Sequence, residues 1–102
     1  MTKSGDENRA FEIWKPNGQV RVVKRRYRLS VQVPDTFRLP WTNDEWYTVK
    51  ETPSATSSFR VEFVDIPITA AQRAPIRFTF FWPQRNAWEG RDYMVEVENK
   101  KH

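Results

Sequence analysis

Apolar and polar residues alternate with a period of two in four stretches of the chain. Tyr27, Leu29, Val31 and Val33 alternate with Arg26, Arg28, Ser30 and Gln32. Phe59, Val61 and Phe63 alternate with Arg60, Glu62 and Val64. Ile76, Phe78, Phe80 and Trp82 alternate with Arg77, Thr79 and Phe81, and Tyr93, Val95 and Val97 with Met94, Glu96 and Glu98. Period two marks a strand with one face in a core and the other in water. The first-named residue of each alternating pair is therefore expected inside. Weaker strands are expected over 11–15, 20–23, 36–41 and 46–51. A period of 3.6 appears nowhere, so no long amphipathic helix is expected; TAAQRA, 69–74, would form at most one helical turn.

Turn formers separate these runs. Pro16-Asn17-Gly18 predicts a turn with Asn or Gly free to take positive φ. Pro34-Asp35, Pro40, Pro53-Ser54 and Pro67 end or divide strands, and SATSS, 54–58, reads as a polar loop. Seven or eight short strands in about a hundred residues predict an all-β fold, an antiparallel β-sandwich of immunoglobulin-like type. A small barrel is the alternative. The expected domain runs over 10–98, with flexible tails at 1–9 and 99–102.

Composition sharpens this picture. A chain of 102 residues makes one domain. Aromatic residues are 15% of it, five of them Trp, while leucine occurs only at Leu29 and Leu39. That bias favours strands. Cysteine is absent, so disulfides and thiol chemistry are excluded. The opening MTKSGDENRA is polar, without the apolar stretch of a signal peptide. No apolar run approaches the roughly 18 residues of a membrane helix, so no membrane partner is expected.

The net charge of +4 permits weak binding to anionic surfaces without requiring it. Its densest run is RVVKRRYR, with Lys24, Arg25, Arg26 and Arg28 around Tyr27. Such a stripe can bind phosphates, or it can be the solvated face of a strand whose arginine stems cover apolar surface. Acidic residues are spread through the rest of the chain, and we take the second reading; no nucleic-acid partner is expected.

Catalytic groups are scarce. The single histidine is His102, the last residue, so Ser–His–Asp and Cys–His arrangements are not expected. Metal sites built from Cys and His fall with it, and no cofactor is expected. Three glycines make no phosphate-cradling loop. Glu89 with Asp92, and Asp44 with Glu45, are close carboxylates, but a small sandwich lacks a deep, dry cleft to split their pKa values. The chain is expected to be non-catalytic.

The tryptophans carry the remaining functional signal. Trp82 shares the parity of the core residues before it, and Trp14 lies in an early strand; both are expected to pack. Trp41 and Trp46 bracket the turn-forming segment Thr42–Glu45, so at least one lies at a strand end. Trp88 lies in PQRNAWEGR, beyond the last strong strand. An exposed indole offers a rigid apolar face with little rotamer entropy to lose. It can stack on the C–H face of a pyranose while amides, carboxylates and arginines bond the hydroxyls. Asn43, Asp44, Gln84, Asn86, Glu89 and Arg91 supply such groups around Trp41, Trp46 and Trp88. Exposed Trp also marks protein interfaces.

The order of motifs is EIWKPNGQV, a basic strand, LPWTNDEWYTVKET, VEFVDIP, IRFTFFW and WEGRDYMVEV. Over about residues 11–98 this order resembles the C-terminal domain of bacterial glucoamylases and glucodextranase-type enzymes of glycoside hydrolase family fifteen. The ending is also similar to the Trp-Asp-Asn-Asn…Tyr ending of starch-binding modules, in which the loop tryptophan stacks on a glucose unit. The resemblance implies an accessory, non-catalytic carbohydrate-binding module for starch-like α-glucans, partnered by the catalytic domain of a parent hydrolase. It assigns sugar stacking to Trp88 with Trp46 or Trp41. Where the starch-binding modules have Asp-Asn-Asn, this chain has Glu89-Gly90-Arg91. Arg91 then either donates to sugar hydroxyls or holds Asp92 and Glu89 in place. The alternative role is structural: a module packing its aromatics against the parent's catalytic domain.

Overall fold

The computed structural model describes residues 10–98; the expected tails and His102 lie outside them. The described residues form strands and no helix: β1 Phe11–Trp14, β2 Val22–Val23, β3 Arg28–Val33, β4 Arg38–Thr42, β5 Lys50–Pro53, β6 Ala55–Thr56, β7 Glu62–Pro67, β8 Ile76–Phe78, β9 Phe81–Trp82, β10 Ala87–Trp88 and β11 Tyr93–Val97. Two sheets face each other. The smaller has the order β1-β3-β7-β6, and the larger combines β5, β4, β8, β9, β10, β11 and β2.

In the larger sheet the short strands are halves of longer ones. Trp41 pairs with Phe78 and Arg38 with Phe81, so β8 and β9 lie along β4 in a single register. The return strand is β10 followed by β11: Trp88 pairs with Phe81 and Tyr93 with Phe78. Between those two pairs β8–β9 has only Thr79 and Phe80, whereas the return side has Glu89, Gly90, Arg91 and Asp92. The extra residues form a bulge. Gly90 takes φ 86°, a left-handed conformation that is cheap only without a Cβ. The Glu89 N–H bonds the Phe80 carbonyl at 2.9 Å, and the Thr79 hydroxyl donates to the Arg91 carbonyl at 2.7 Å.

The connections β3 to β4, β5 to β6 and β7 to β8 each cross from one sheet to the other. With β3 beside β7 and β4 beside β8, this is the layout of an immunoglobulin-like sandwich. It departs from the expected antiparallel pairing at two places. β1 runs parallel to β3, and β2 parallel to β11. The turn at Pro16-Asn17-Gly18 is the cause. Lys15 and Gly18 exchange backbone bonds of 3.3 and 2.9 Å. That reversal divides the N-terminal strand between an edge of each sheet. Neither Asn17 nor Gly18 takes positive φ there; among the described residues Arg26, Glu45, Trp46, Arg60, Asn86 and Gly90 do.

Further expectations are corrected. First, the inward face of the 59–68 stretch is Glu62, Val64 and Ile66, one residue out of phase with Phe59, Val61 and Phe63. Phe59 is 86% exposed. A one-residue slip turns every side chain over, and the run Val64, Ile66, Ile68 places three aliphatics inside where the other phase offers Phe59, Val61 and Phe63 and then Asp65. The register Val31↔Val64 and Leu29↔Ile66 fixes that choice. Glu62 is tolerated inside because Ser54 donates to its Oε1 at 2.7 Å and Thr56 to its Oε2 at 2.6 Å. Second, those donors come from the expected loop 54–58, which contains β6 at the free edge of β7. Third, 69–74 is a turn closed by Gln72 N–H to the Thr69 carbonyl at 3.3 Å, not a helical turn, and 43–49 is a loop with strand beginning at Lys50.

The other inward faces follow the alternation. Leu29, Val31, Val33, Ile76, Phe78, Phe80, Val95 and Val97 are buried. Trp14 lies among them, edge-on to Phe78 at 5.0 Å and to Tyr93 at 4.9 Å. Phe37 meets Phe80 edge-on at 5.2 Å. An aromatic core compensates for the lack of leucine.

Candidate functional site

Side-chain alternation decides which aromatics reach solvent. Trp82 points inward; its ring stacks on Phe80 at 5.1 Å and 12°. Its neighbour Phe81 must therefore point outward, as must its cross-strand partner Trp88. Trp88 is 60% exposed and meets Phe81 edge-on at 4.9 Å. Across the same row of the sheet Phe81 pairs with Arg38, and Arg38 with Pro53. The Arg38 Nε donates to Glu51 Oε2 at 3.3 Å, with both side chains about half exposed. At about 4.8 Å between strands, Trp88 and Arg38 lie roughly 10 Å apart. The outer face of the larger sheet thus carries an aromatic step at one edge and a charged pair two strands away.

The bulge keeps that step in place. Glu89, next to Trp88, turns inward and accepts two hydrogen bonds. The Trp82 Nε1–H donates to its Oε1 at 3.0 Å and the Tyr93 hydroxyl to its Oε2 at 2.6 Å. Burial raises the Tyr93 pKa above its ordinary value, and the Glu89 hydrogen bond and charge add to the rise. The Arg91 guanidinium lies 5.2 Å from the Tyr93 ring centre, and Arg85 lies 5.2 Å from that of Trp82. Glu89 therefore ties the bulge to Trp82 and Tyr93, and among the described residues the one side-chain contact of Arg91 is with the Tyr93 ring, not with Glu89 or Asp92. Gln84 and Asn86 lie in the exposed turn between β9 and β10, close in chain to Trp88. That turn is tied by Asn86 N–H to the Pro83 carbonyl at 3.1 Å, with Asn86 at φ 49°.

Trp41 and Trp46 lie elsewhere. Trp41 is only 8% exposed; its Nε1–H donates to Thr52 Oγ1 at 3.1 Å, and the Lys50 ammonium lies 5.3 Å from its ring centre. Trp46 belongs to the 43–49 loop after Thr42. Thr42 pairs with Arg77, four residues from Phe81 along the β8–β9 line, or about 13 Å at 3.3 Å per residue. Thr42, whose hydroxyl takes the Trp46 N–H, thus lies about 13 Å along the sheet from the Phe81–Trp88 row.

The 43–49 loop is rigid in its own right. Buried Thr42 accepts the N–H groups of Asp44 and Trp46 at 3.2 and 3.1 Å and donates to Asp44 Oδ1 at 2.7 Å. The Asp44 carboxylate also takes the Thr48 N–H and hydroxyl. Those Thr48 bonds, then the Thr42 hydroxyl, lower its pKa to about 2. The Asn43 carbonyl accepts Gln72 Nε2 at 2.8 Å, and Glu45 pairs with Arg77 at 2.7 Å. Glu45 and Trp46 adopt φ 59° and 69°. Asn43 and Asp44 thus build this loop, and Trp46 is half-buried within it.

Of the residues expected at the site, Trp88, Gln84, Asn86, Glu89 and Arg91 share one edge of the larger sheet. Phe81, Arg38 and Glu51 join them and were missed. Phe81 breaks the alternation of IRFTFFW, and an out-of-phase aromatic in a strand is a signal for an outward ring. Arg38 and Glu51 come in by strand pairing alone, which leaves no mark in the sequence. Among the described residues, no group of three His, Cys, Asp or Glu is placed to hold a metal ion. Comparison with protein-family models, curated proteins and solved structures finds no match.

Proposed function

We propose that this domain is a non-catalytic carbohydrate-binding module whose sugar platform is Trp88 on the outer face of the larger sheet. One observation carries the reading: an indole 60% exposed, braced edge-on by Phe81 and seated beside a bulge that three side chains hold. A core role does not account for that exposure. A rigid, exposed ring loses little entropy on stacking against a pyranose. Gln84 and Asn86 provide amides at one side of it, and the Arg38–Glu51 pair provides donors and acceptors across the sheet. The preference for starch-like α-glucans, and the role as accessory module of a glucoamylase-type hydrolase, rest on the resemblance of the motif order ending in Trp88–Val97.

One stacked ring and a few hydroxyl bonds give a Kd between about micromolar and millimolar, or about −8 to −4 kcal/mol. Granular starch should deplete the wild-type domain from solution and leave Trp88→Ala in the supernatant. Equal depletion of both would remove Trp88 from the site.

The exposure of Tyr47, at 89%, and of Val49 on the rigid 43–49 loop supports a second reading. In it the module packs against the catalytic domain of its parent through that loop. This version expects no response to soluble glucans and self-association that Tyr47→Ser reduces.

A further inference from the structure

Three segments meet at one pole of the sandwich: the turn between β1 and β2, the exit of β3, and the turn entering β7. They line a shallow, open pocket of about 190 Å³. Its apolar walls include Pro16, Pro34 and Val61, with the Gln32 amide beside them, and two cations, Lys15 and Arg60, line it. Neither cation is ion-paired among the described residues. Asp35 follows Pro34 in the chain but does not line the pocket.

Arg60 is held there at a cost. Its φ is 65°, left-handed for a residue with a Cβ. The turn is fixed by the Arg60 N–H on the Ser57 carbonyl at 3.0 Å and by the Ser57 hydroxyl, which accepts the N–H groups of Phe59 and Val61. Glycine would satisfy such a turn without strain. A long cation at a glycine-type position, beside a second unpaired cation in a concave apolar pocket, is a feature that packing does not explain.

We infer that this pocket binds a small oxyanion, a carboxylate or phosphate carried on a compact apolar or neutral body. The guanidinium fork of Arg60 matches either oxyanion in bidentate fashion, and Lys15 adds a point charge. Counting about 30 Å³ for each water, the space equals roughly six waters, enough for the anion and a short apolar portion. The site is independent of Trp88.

The test is a titration of the ¹⁵N-labelled full chain with sodium phosphate and, separately, sodium benzoate, at constant ionic strength set by chloride. Saturable amide shifts confined to Lys15, Asn17, Gln32, Val33, Arg60 and Val61 are expected, and the tighter of the two probes identifies the source of the oxyanion. Arg60→Gly should weaken binding at least about tenfold while leaving the melting temperature unchanged or raised. Arg60→Gln, which keeps a side chain at that backbone, should weaken it comparably, and Trp88→Ala should bind as wild type. The inference fails if neither probe gives saturable shifts, if chloride alone reproduces them, or if the two Arg60 variants bind as tightly as wild type.

Discussion

Removing the Glu89 carboxylate should loosen the edge of the larger sheet by an amount the geometry sets. The group accepts Trp82 Nε1–H at 3.0 Å and the Tyr93 hydroxyl at 2.6 Å, and both donors belong to rings packed on the core. Hydrogen bonds to a charged group contribute about 1.5–3 kcal/mol each. Partial exposure favours the low end, so Glu89→Ala should cost about 3 kcal/mol. At about 4–8 °C per kcal/mol for a domain of this size, its melting temperature should fall by roughly 12–24 °C. Glu89→Gln is the control. Its amide oxygen still accepts the Trp82 N–H, and its NH₂ can donate to the Tyr93 oxygen, so only the charge is lost, at about 1 kcal/mol. Near-ultraviolet circular dichroism follows the aromatic cluster directly during thermal unfolding. The alkaline limb adds a second readout. Burial, then the Glu89 bond and charge, raise the Tyr93 pKa. The associated stability is therefore fully present below the unfolded tyrosine value near 10 and is lost as pH rises through the folded value. Without Glu89 that loss should be smaller. A Glu89→Ala protein melting within about 2 °C of wild type would refute the assignment of Glu89 as the tie between Trp82 and Tyr93.

The 43–49 loop yields three more expectations. Asp44 is lowered to about 2 in the folded chain, so its stabilisation is present above the ordinary carboxylate range and is lost as pH falls toward 2; urea unfolding should show wild type and Asp44→Ala differing at pH 6 and converging near pH 2. Thr42→Val keeps the shape but removes the hydroxyl that serves Asp44 and Trp46; a loss of about 2 kcal/mol is expected in chemical denaturation. Glu45→Gly relieves a left-handed residue but breaks the pair with Arg77; the strain term of about 1 kcal/mol exceeds an exposed ion pair, so a small rise in melting temperature is expected.

Much of the sandwich was legible because the core strands obey one rule. Leu29, Val31, Val33, Ile76, Phe78, Phe80, Val95 and Val97 all point where period two puts them. The rule fails at 59–63, where Phe59, Val61 and Phe63 form the apolar phase against Arg60 and Glu62, yet the continuation through Val64, Ile66 and Ile68 sets the inward face. Ser54 and Thr56 read as loop residues because SATSS is polar throughout; their bonds to Glu62 arise only from the pairing of β6 with β7. The parallel edges escaped notice because a local turn at Pro16–Gly18 sends β1 and β2 to different sheets, a choice made by tertiary pairing. At the site, the exposure of Trp88 was open in the sequence and is decided by its pairing with Phe81. Composition alone groups Trp41 and Trp46 with it, yet alternation buries the first, and the second is tied to Thr42, about 13 Å along the sheet from the Phe81 row.

The central claim is that Trp88 is a sugar platform. Its most direct test is a titration of the full chain with maltoheptaose, followed by tryptophan fluorescence at low and high salt. A saturable change, equal at both salt concentrations and absent from a normally folded Trp88→Ala variant, is the expected result, because stacking on a neutral sugar involves no counterion release. No change in the wild type up to about ten millimolar sugar, or a change that Trp88→Ala retains in full, would contradict it.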